Sequence, residues 1–321
     1  MSIYQIDRVQ YIESEDTIMI FEFFLVNDLD KFIVHFEENS KSFKESYIEK
    51  NYLKKLKFLW DLSVRNKTHL LIIIYDSRAN KFAFIERIVG KEGCTWDVMD
   101  FSRFQKKFIN INNINGQGSK SKVLGAIKEE NQDSFTLNIL KTIGSYIDEN
   151  DDNGITVTKK LLDGLTTKGF DFDLFQYLDS TGETIIYEFL KNETSYITNY
   201  TANPMRYCWT GEKNDNKQKF ISLWNAKEVL NGRLYLINYS DNVKEGIGIS
   251  EILELDVERG LLQENKYNLT YDEFIKWMIK MNNYTDQSRD YLNDYNEKRM
   301  YYDENFFKNW SAEKKNYGKT K

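Results

Sequence analysis

Short apolar blocks bounded by polar turns recur along the chain and predict its elements. In the C-terminal half, positions 172–178 read as a strand, Asp179-Ser180-Thr181-Gly182 as a turn and 184–190 as an apolar strand, a hairpin signal. A helix is expected over 217–230, where Phe220, Leu223, Trp224 and Lys227 fall at i, i+3, i+4 and i+7, the lysine snorkelling. Asn231-Gly232 ends that helix, and strands follow over 233–239 and 247–255. Thr270 and Glu273 form a capping box that starts another helix. Two further helices, over 134–148 and 156–166, feed into the hairpin. Positions 6–108 run through the same order, so the expected class is α/β, a mixed sheet flanked by helices.

That order is repeated because the sequence is. A shift of 166 lays positions 6–25 on 172–191 without a gap, with identities at Asp7/Asp173, Gln10/Gln176, Tyr11/Tyr177, Ser14/Ser180, Ile20/Ile186, Glu22/Glu188 and Phe23/Phe189. A shift of 164 then lays 55–75 on 219–239, with Leu59-Trp60 on Leu223-Trp224 and Tyr75 on Tyr239. Further on, Phe84-Ile85-Glu86 matches Ile249-Ser250-Glu251, and Thr95-Trp96-Asp97 matches Thr270-Tyr271-Asp272. Blocks kept in order and spacing indicate two copies of one fold. The expected modules are 1–111 and 123–321, joined by a linker at 112–122 rich in Asn, Gly, Ser and Lys. Within it Gly116-Gln117-Gly118-Ser119-Lys120-Ser121 lacks the spacing of a phosphate loop.

Composition narrows the chemistry. The 321 residues are 41% hydrophobic and 29% charged, enough apolar surface to bury two cores. Net charge is −6, which excludes coating nucleic acid by bulk charge but not a local basic groove. Two histidines and two cysteines, scattered, are too few for a zinc finger or a disulfide framework. The longest apolar run, Leu70 to Tyr75, is far shorter than a membrane span, and the N-terminus lacks a signal-peptide pattern. A soluble cytoplasmic protein without membrane contact is expected.

The hairpin carries the candidate chemistry. Folded about the centre between Ser180 and Thr181, it sets Asp173 opposite Glu188. Facing carboxylates repel unless something positive sits between them, and oxygen ligands suit a hard divalent cation. Lys191 follows and can bring an ammonium to the same mouth.

The segment Asp173…Glu188-Phe189-Leu190-Lys191, followed by a helix and the strand at 233–239, resembles the PD-(D/E)xK nuclease superfamily over about residues 155–255, and the N-terminal copy resembles it weakly. The resemblance implies two tandem restriction-endonuclease-like modules and a metal-dependent endonuclease acting on DNA. It also implies that Asp173 and Glu188 hold Mg²⁺ or Mn²⁺ and that Lys191 supports the attacking water. The superfamily spacing is E-x-K, whereas this chain has E-x-x-K, so Lys191 needs a β-bulge or a strand end to reach the site. The N-terminal copy keeps Asp7 and Glu22 but has Phe24 and Leu25 in place of the lysine, and is expected to be degenerate.

Asn203, Arg206, Tyr207 and Trp209 offer phosphate contacts and stacking rings, and Lys213, Lys217 and Lys219 could grip phosphates. Cys208, with no histidine near it in sequence, reads as a packing residue. Tyr291, Tyr295, Tyr302, Phe306 and Trp310 suggest an aromatic stripe on a C-terminal helix. One working site per chain would nick, and cutting both strands would need a homodimer. Two alternatives remain at this point: a non-catalytic nucleic-acid-binding protein made of two inactive nuclease folds, and a sensor-effector whose N-terminal copy binds a ligand.

Overall fold

The computed structural model describes residues 3–114, 122–123, 134–145, 151–178, 181–193, 198–202, 205, 208–209, 217–283, 292 and 296–300. They fall into two compact units. One takes the described residues of Tyr4–Leu137 and Tyr146–Phe172, the other those of Met1–Ile3, Asn138–Ser145 and Asp173–Lys321.

The N-terminal unit is a mixed sheet of β1 (Ile3–Ile12), β2 (Thr17–Leu25), β3 (His69–Tyr75), β4 (Lys81–Arg87) and β5 (Thr95–Asp100), in that spatial order. Only β2 and β3 run parallel. Strand β3 is buried along its whole length, as a continuous run of Leu and Ile requires when both faces are covered. Helices α1 (Leu29–Glu38) and α2 (Lys50–Arg65) follow β2, and α3 (Phe101–Asn112) follows β5. Asp100 caps α3 by accepting from the Arg103 N–H at 2.9 Å, and Phe104 and Phe108 face the core. That core joins Phe21, Phe23, Leu71, Ile73, Phe82 and Phe84 to Val157 and Leu161, which come from a later helix of the chain.

In the second unit β8 (Phe170–Leu178), β9 (Glu183–Lys191), β10 (Gly232–Tyr239), β11 (Ile247–Asp256), β12 (Gly260–Leu269) and β13 (Asn296–Met300) lie side by side in chain order. Only β9 and β10 are parallel. Helix α6 (Lys217–Val229) packs on β9 and β10. On the other side Trp277 of α7 (Tyr271–Asn283) meets Tyr187 and Tyr235 edge-on. The capping box forms: Thr270 Oγ1 accepts from the Glu273 N–H, and Glu273 accepts from the Thr270 N–H.

The two units repeat one another to the register. Arg8 faces Phe21 as Leu174 faces Tyr187, and Leu25 faces Tyr75 as Lys191 faces Tyr239. Leu71 faces Glu86 as Tyr235 faces Glu251. Left-handed backbone recurs at matched turns, Asp16 (φ 46°) with Gly182 (φ 70°) and Lys67 (φ 51°) with Asn231 (φ 46°). Gln10 donates to the Ile111 carbonyl, and its counterpart Gln176 to that of Met281.

Three expectations differ. Thr95 lies on β5 and faces Glu86, whose counterpart Glu251 faces Asn265, so Thr95 matches Asn265 and not Thr270. The chain also divides elsewhere than at 112–122. Helix α4 (Ser134–Ile143) ends against the C-terminal unit, where Asn282 donates to the Ile143 carbonyl, while α5 (Asp151–Leu162) returns to the N-terminal core. The short pair β6 (Lys122–Val123) and β7 (Thr166–Thr167) stays there too, because the buried Arg8 guanidinium bonds Thr167 Oγ1 at 2.7 Å and Asn112 Oδ1 at 2.8 Å. Burial lowers the pKa of Arg8 to about 9, and the carbonyl end of α3 offers it negative partial charge. Lastly, residues 296–300 form strand β13, not a helix. The edge of β12 offers backbone groups to pair, and Asn-Glu-Lys-Arg-Met has no apolar helical face. Tyr291, Tyr295, Tyr302, Phe306 and Trp310 lie outside the described residues, as do linker positions 115–121. Among the described residues no helix is long and apolar enough to cross a membrane.

Candidate functional site

The hairpin register, Leu174 on Tyr187 through Leu178 on Glu183, carried one step outward sets Asp173 against Glu188. Asp173 Oδ2 accepts the Phe189 N–H at 2.6 Å, and Asp7 Oδ2 accepts the Phe23 N–H at the same distance in the other unit. Each aspartate thus ties the end of its hairpin with one carboxylate oxygen.

Glu22 points to the side of α2 and Glu188 to the side of α6. Glu188 is 1% exposed and Glu22 fully buried, so each carboxylate needs a cation to offset its desolvation. Lys219 Nζ lies 2.5 Å from Glu188 Oε1, and Lys55 Nζ lies 2.8 Å from Glu22 Oε1. These lysines, on α6 and α2, are related by the 164-residue shift. Lys191 goes elsewhere: its ammonium is 2.9 Å from Asp241 Oδ2, among exposed side chains. The β9–β10 register runs unbroken to Lys191, so no bulge turns it, and three residues from Glu188 it faces the opposite side of the sheet.

The N-terminal copy therefore has its cation too, contrary to the expectation drawn from Phe24 and Leu25. What separates the copies is access. Lys55 is 1% exposed and Lys219 35%. Tyr52 donates to Glu22 Oε1 at 2.8 Å, its ring stacks on Phe24 at 4.4 Å, and Phe24 meets Phe32 of α1 edge-on. Aromatic rings seal the first pair, and water reaches the second.

The neighbouring strands differ in the same sense. Across β9 to β12 the row is Glu188, Leu236, Ser250, Lys266; across β2 to β5 it is Glu22, Ile72, Ile85, Trp96. Lys266 is buried, donating to the Ala202 carbonyl at 3.1 Å and Ser250 Oγ at 3.3 Å, and Asn238 donates to the same carbonyl at 3.0 Å. Asn199 donates to the Gly246 carbonyl at 2.7 Å. The 198–202 segment is thereby fastened to the sheet. Lys266, Asn238 and Ser250 escaped the sequence reading, although each replaces an apolar residue of the first copy once the strands are matched.

Of the candidate nucleic-acid contacts, Asn203, Arg206, Tyr207 and Lys213 lie outside the described residues. Trp209 donates to the Val257 carbonyl at 3.0 Å, with Lys217 Nζ 5.5 Å from a ring centroid. Gly260, at φ +93°, lets the indole lie close: a Cβ there would come within 2.8 Å of it. Lys217 and Lys219 open α6. Cys208 is buried and burial pushes its thiol up to about 12, which suits packing and not nucleophilic attack.

On the opposite face Arg233 lies between Glu183, at 2.6 Å, and Glu251, at 3.3 Å. Burial first, and the Glu251 carboxylate second, hold the Tyr235 and Tyr267 phenols well above their ordinary value, so both remain donors. This cluster is structural.

Among the described residues no group of three His, Cys, Asp or Glu side chains gathers to hold a metal ion. Asp173 and Glu188 supply two hard oxygen donors, and Mg²⁺ is commonly held by one or two carboxylates completed by water and substrate phosphate. The donor chemistry fits such an ion. Comparison of the chain with family models, curated proteins and solved structures finds no match.

Proposed function

We propose that the C-terminal unit is a divalent-metal-dependent nuclease acting on DNA phosphodiester bonds. The observation that supports this most is the Lys219–Glu188 pair, which keeps its ammonium open to solvent while its counterpart Lys55–Glu22 is sealed. Asp173 and Glu188 would hold Mg²⁺ or Mn²⁺. Bound there, the ion would lower the pKa of its water and offset charge on the scissile phosphate. Lys219, in place of Lys191, orients the attacking water and faces the negative charge that develops on phosphorus oxygens. The N-terminal unit keeps the fold of the site as structure. A monomer with one such site nicks or trims, and cleavage of both strands together requires a homodimer.

A second reading is a non-catalytic nucleic-acid-binding protein. Asp173 favours it, since it engages the Phe189 N–H as its counterpart Asp7 does in the sealed copy. Incubating the full chain with plasmid, single-stranded DNA and RNA, with Mg²⁺ or Mn²⁺ and with chelator, separates the two. The nuclease reading expects cleavage of DNA that chelator stops and Glu188→Gln abolishes. Binding without cleavage under every condition would leave the second reading.

A further inference from the structure

A cavity of about 360 Å³ opens in the N-terminal unit beyond the carboxyl ends of β3 and β5. Leu29, Val98 and Met99 form apolar wall, and Asp30, Arg78 and Lys81 bring charge to it. Asp76, a buried carboxylate just after β3, accepts from Arg78 Nε at 3.0 Å and also from Nη2, so the guanidinium is fixed in direction. The turn that carries Arg78 is braced by Lys160, whose ammonium donates to the Ala79 carbonyl at 3.1 Å.

Between the two cations sits one displaceable anion. Asp30 lies 2.7 Å from Lys81 Nζ and 3.9 Å from Arg78 Nη2, yet its side chain is 63% exposed. The other nearby acids have fixed duties, Asp76 as orienter of Arg78, Asp100 as cap of α3 and Asp28 as cap of α1. An exposed ion pair of this kind contributes little, so a stronger anion can replace it. Asp76 already balances Arg78, so a phosphate in place of Asp30 would meet the Lys81 ammonium and the outer N–H groups of the guanidinium, donors that suit phosphate. The volume is at the small end of ligand pockets, room for a ring-sized body against Leu29, Val98 and Met99.

We propose that this cavity binds a small phosphate monoester with an apolar or planar body, its phosphate taking the place of the Asp30 carboxylate between Arg78 and Lys81. The site is separate from the Asp173–Glu188 pair and does not depend on its activity.

Calorimetric titration of the full chain at fixed ionic strength tests it, with inorganic phosphate, adenosine 5′-monophosphate and adenosine as probes. The monophosphate should bind saturably and more tightly than phosphate, and adenosine should not bind. Asp30→Asn, which removes the competing charge at an exposed position, should tighten monophosphate binding about threefold to fivefold. Lys81→Met should weaken it by about tenfold. Any of three results overturns the proposal: no saturable binding of the monophosphate, affinity unchanged in both variants, or adenosine binding as tightly as its monophosphate.

Discussion

Lys55→Met is expected to destabilise the N-terminal unit by about 3–5 kcal/mol, the cost of leaving a buried carboxylate without its ammonium. Glu22 is fully buried and Lys55 nearly so, and the Tyr52 hydroxyl on the same oxygen cannot replace a charge. Glu22→Leu combined with Lys55→Met removes both charges from an apolar setting. It should recover stability to within about 1–2 kcal/mol of the parent, the residue being the acceptor that Tyr52 loses. Urea unfolding checks this through transition midpoints at constant slope. Lys219→Met should cost clearly less, because water reaches the ammonium of that pair and can solvate Glu188 in its place. Equal losses at Lys55 and Lys219 would contradict the difference in access on which the assignment of roles to the two units depends.

The second large effect separates two lysines that lie in the same unit. Lys219→Met is expected to lower the single-turnover rate of metal-dependent cleavage by about 10²–10³-fold, the usual loss when one preorganised donor to developing charge is removed. DNA binding in chelator should change by no more than about threefold, since one phosphate contact is a small share of the electrostatic affinity. Lys191→Met should leave both quantities as they are, its ammonium being spent on Asp241 at an exposed edge. The reverse pattern, with Lys191 essential and Lys219 dispensable, would restore the role that the family resemblance implies for Lys191.

Much of the fold was legible because period and repetition act locally. The alternation at 172–178 and 184–190 and the turn between them set the hairpin register, and the repeat gave the order of elements in both units. The glutamate's cation was not legible from spacing along one strand, because Lys219 comes to Glu188 from a helix distant in sequence. The repeat itself held the clue: Lys55 and Lys219 open the second matched block, and Glu22 and Glu188 are matched identities near the end of the first. Strand β12 was missed because Gln263, Glu264, Asn265 and Lys266 interrupt any apolar alternation, Asn265 being met by Glu251 and Lys266 by Ser250. The return of α5 to the N-terminal core was equally hidden. It rests on contacts such as Val157 and Leu161 against Phe23 and Phe108, far apart in the chain.

The central claim is that Asp173 and Glu188 together hold a divalent cation. Equilibrium binding of Mn²⁺, followed by the loss of its free electron-paramagnetic-resonance signal, tests this without reference to catalysis. Asparagine at position 173 keeps an oxygen for the Phe189 N–H, so Asp173→Asn removes charge while preserving the strand end. The wild-type chain should bind one Mn²⁺ that Asp173→Asn and Glu188→Gln each lose and that Asp7→Asn retains. Binding that survives both C-terminal substitutions, or no binding by the wild type, would contradict it.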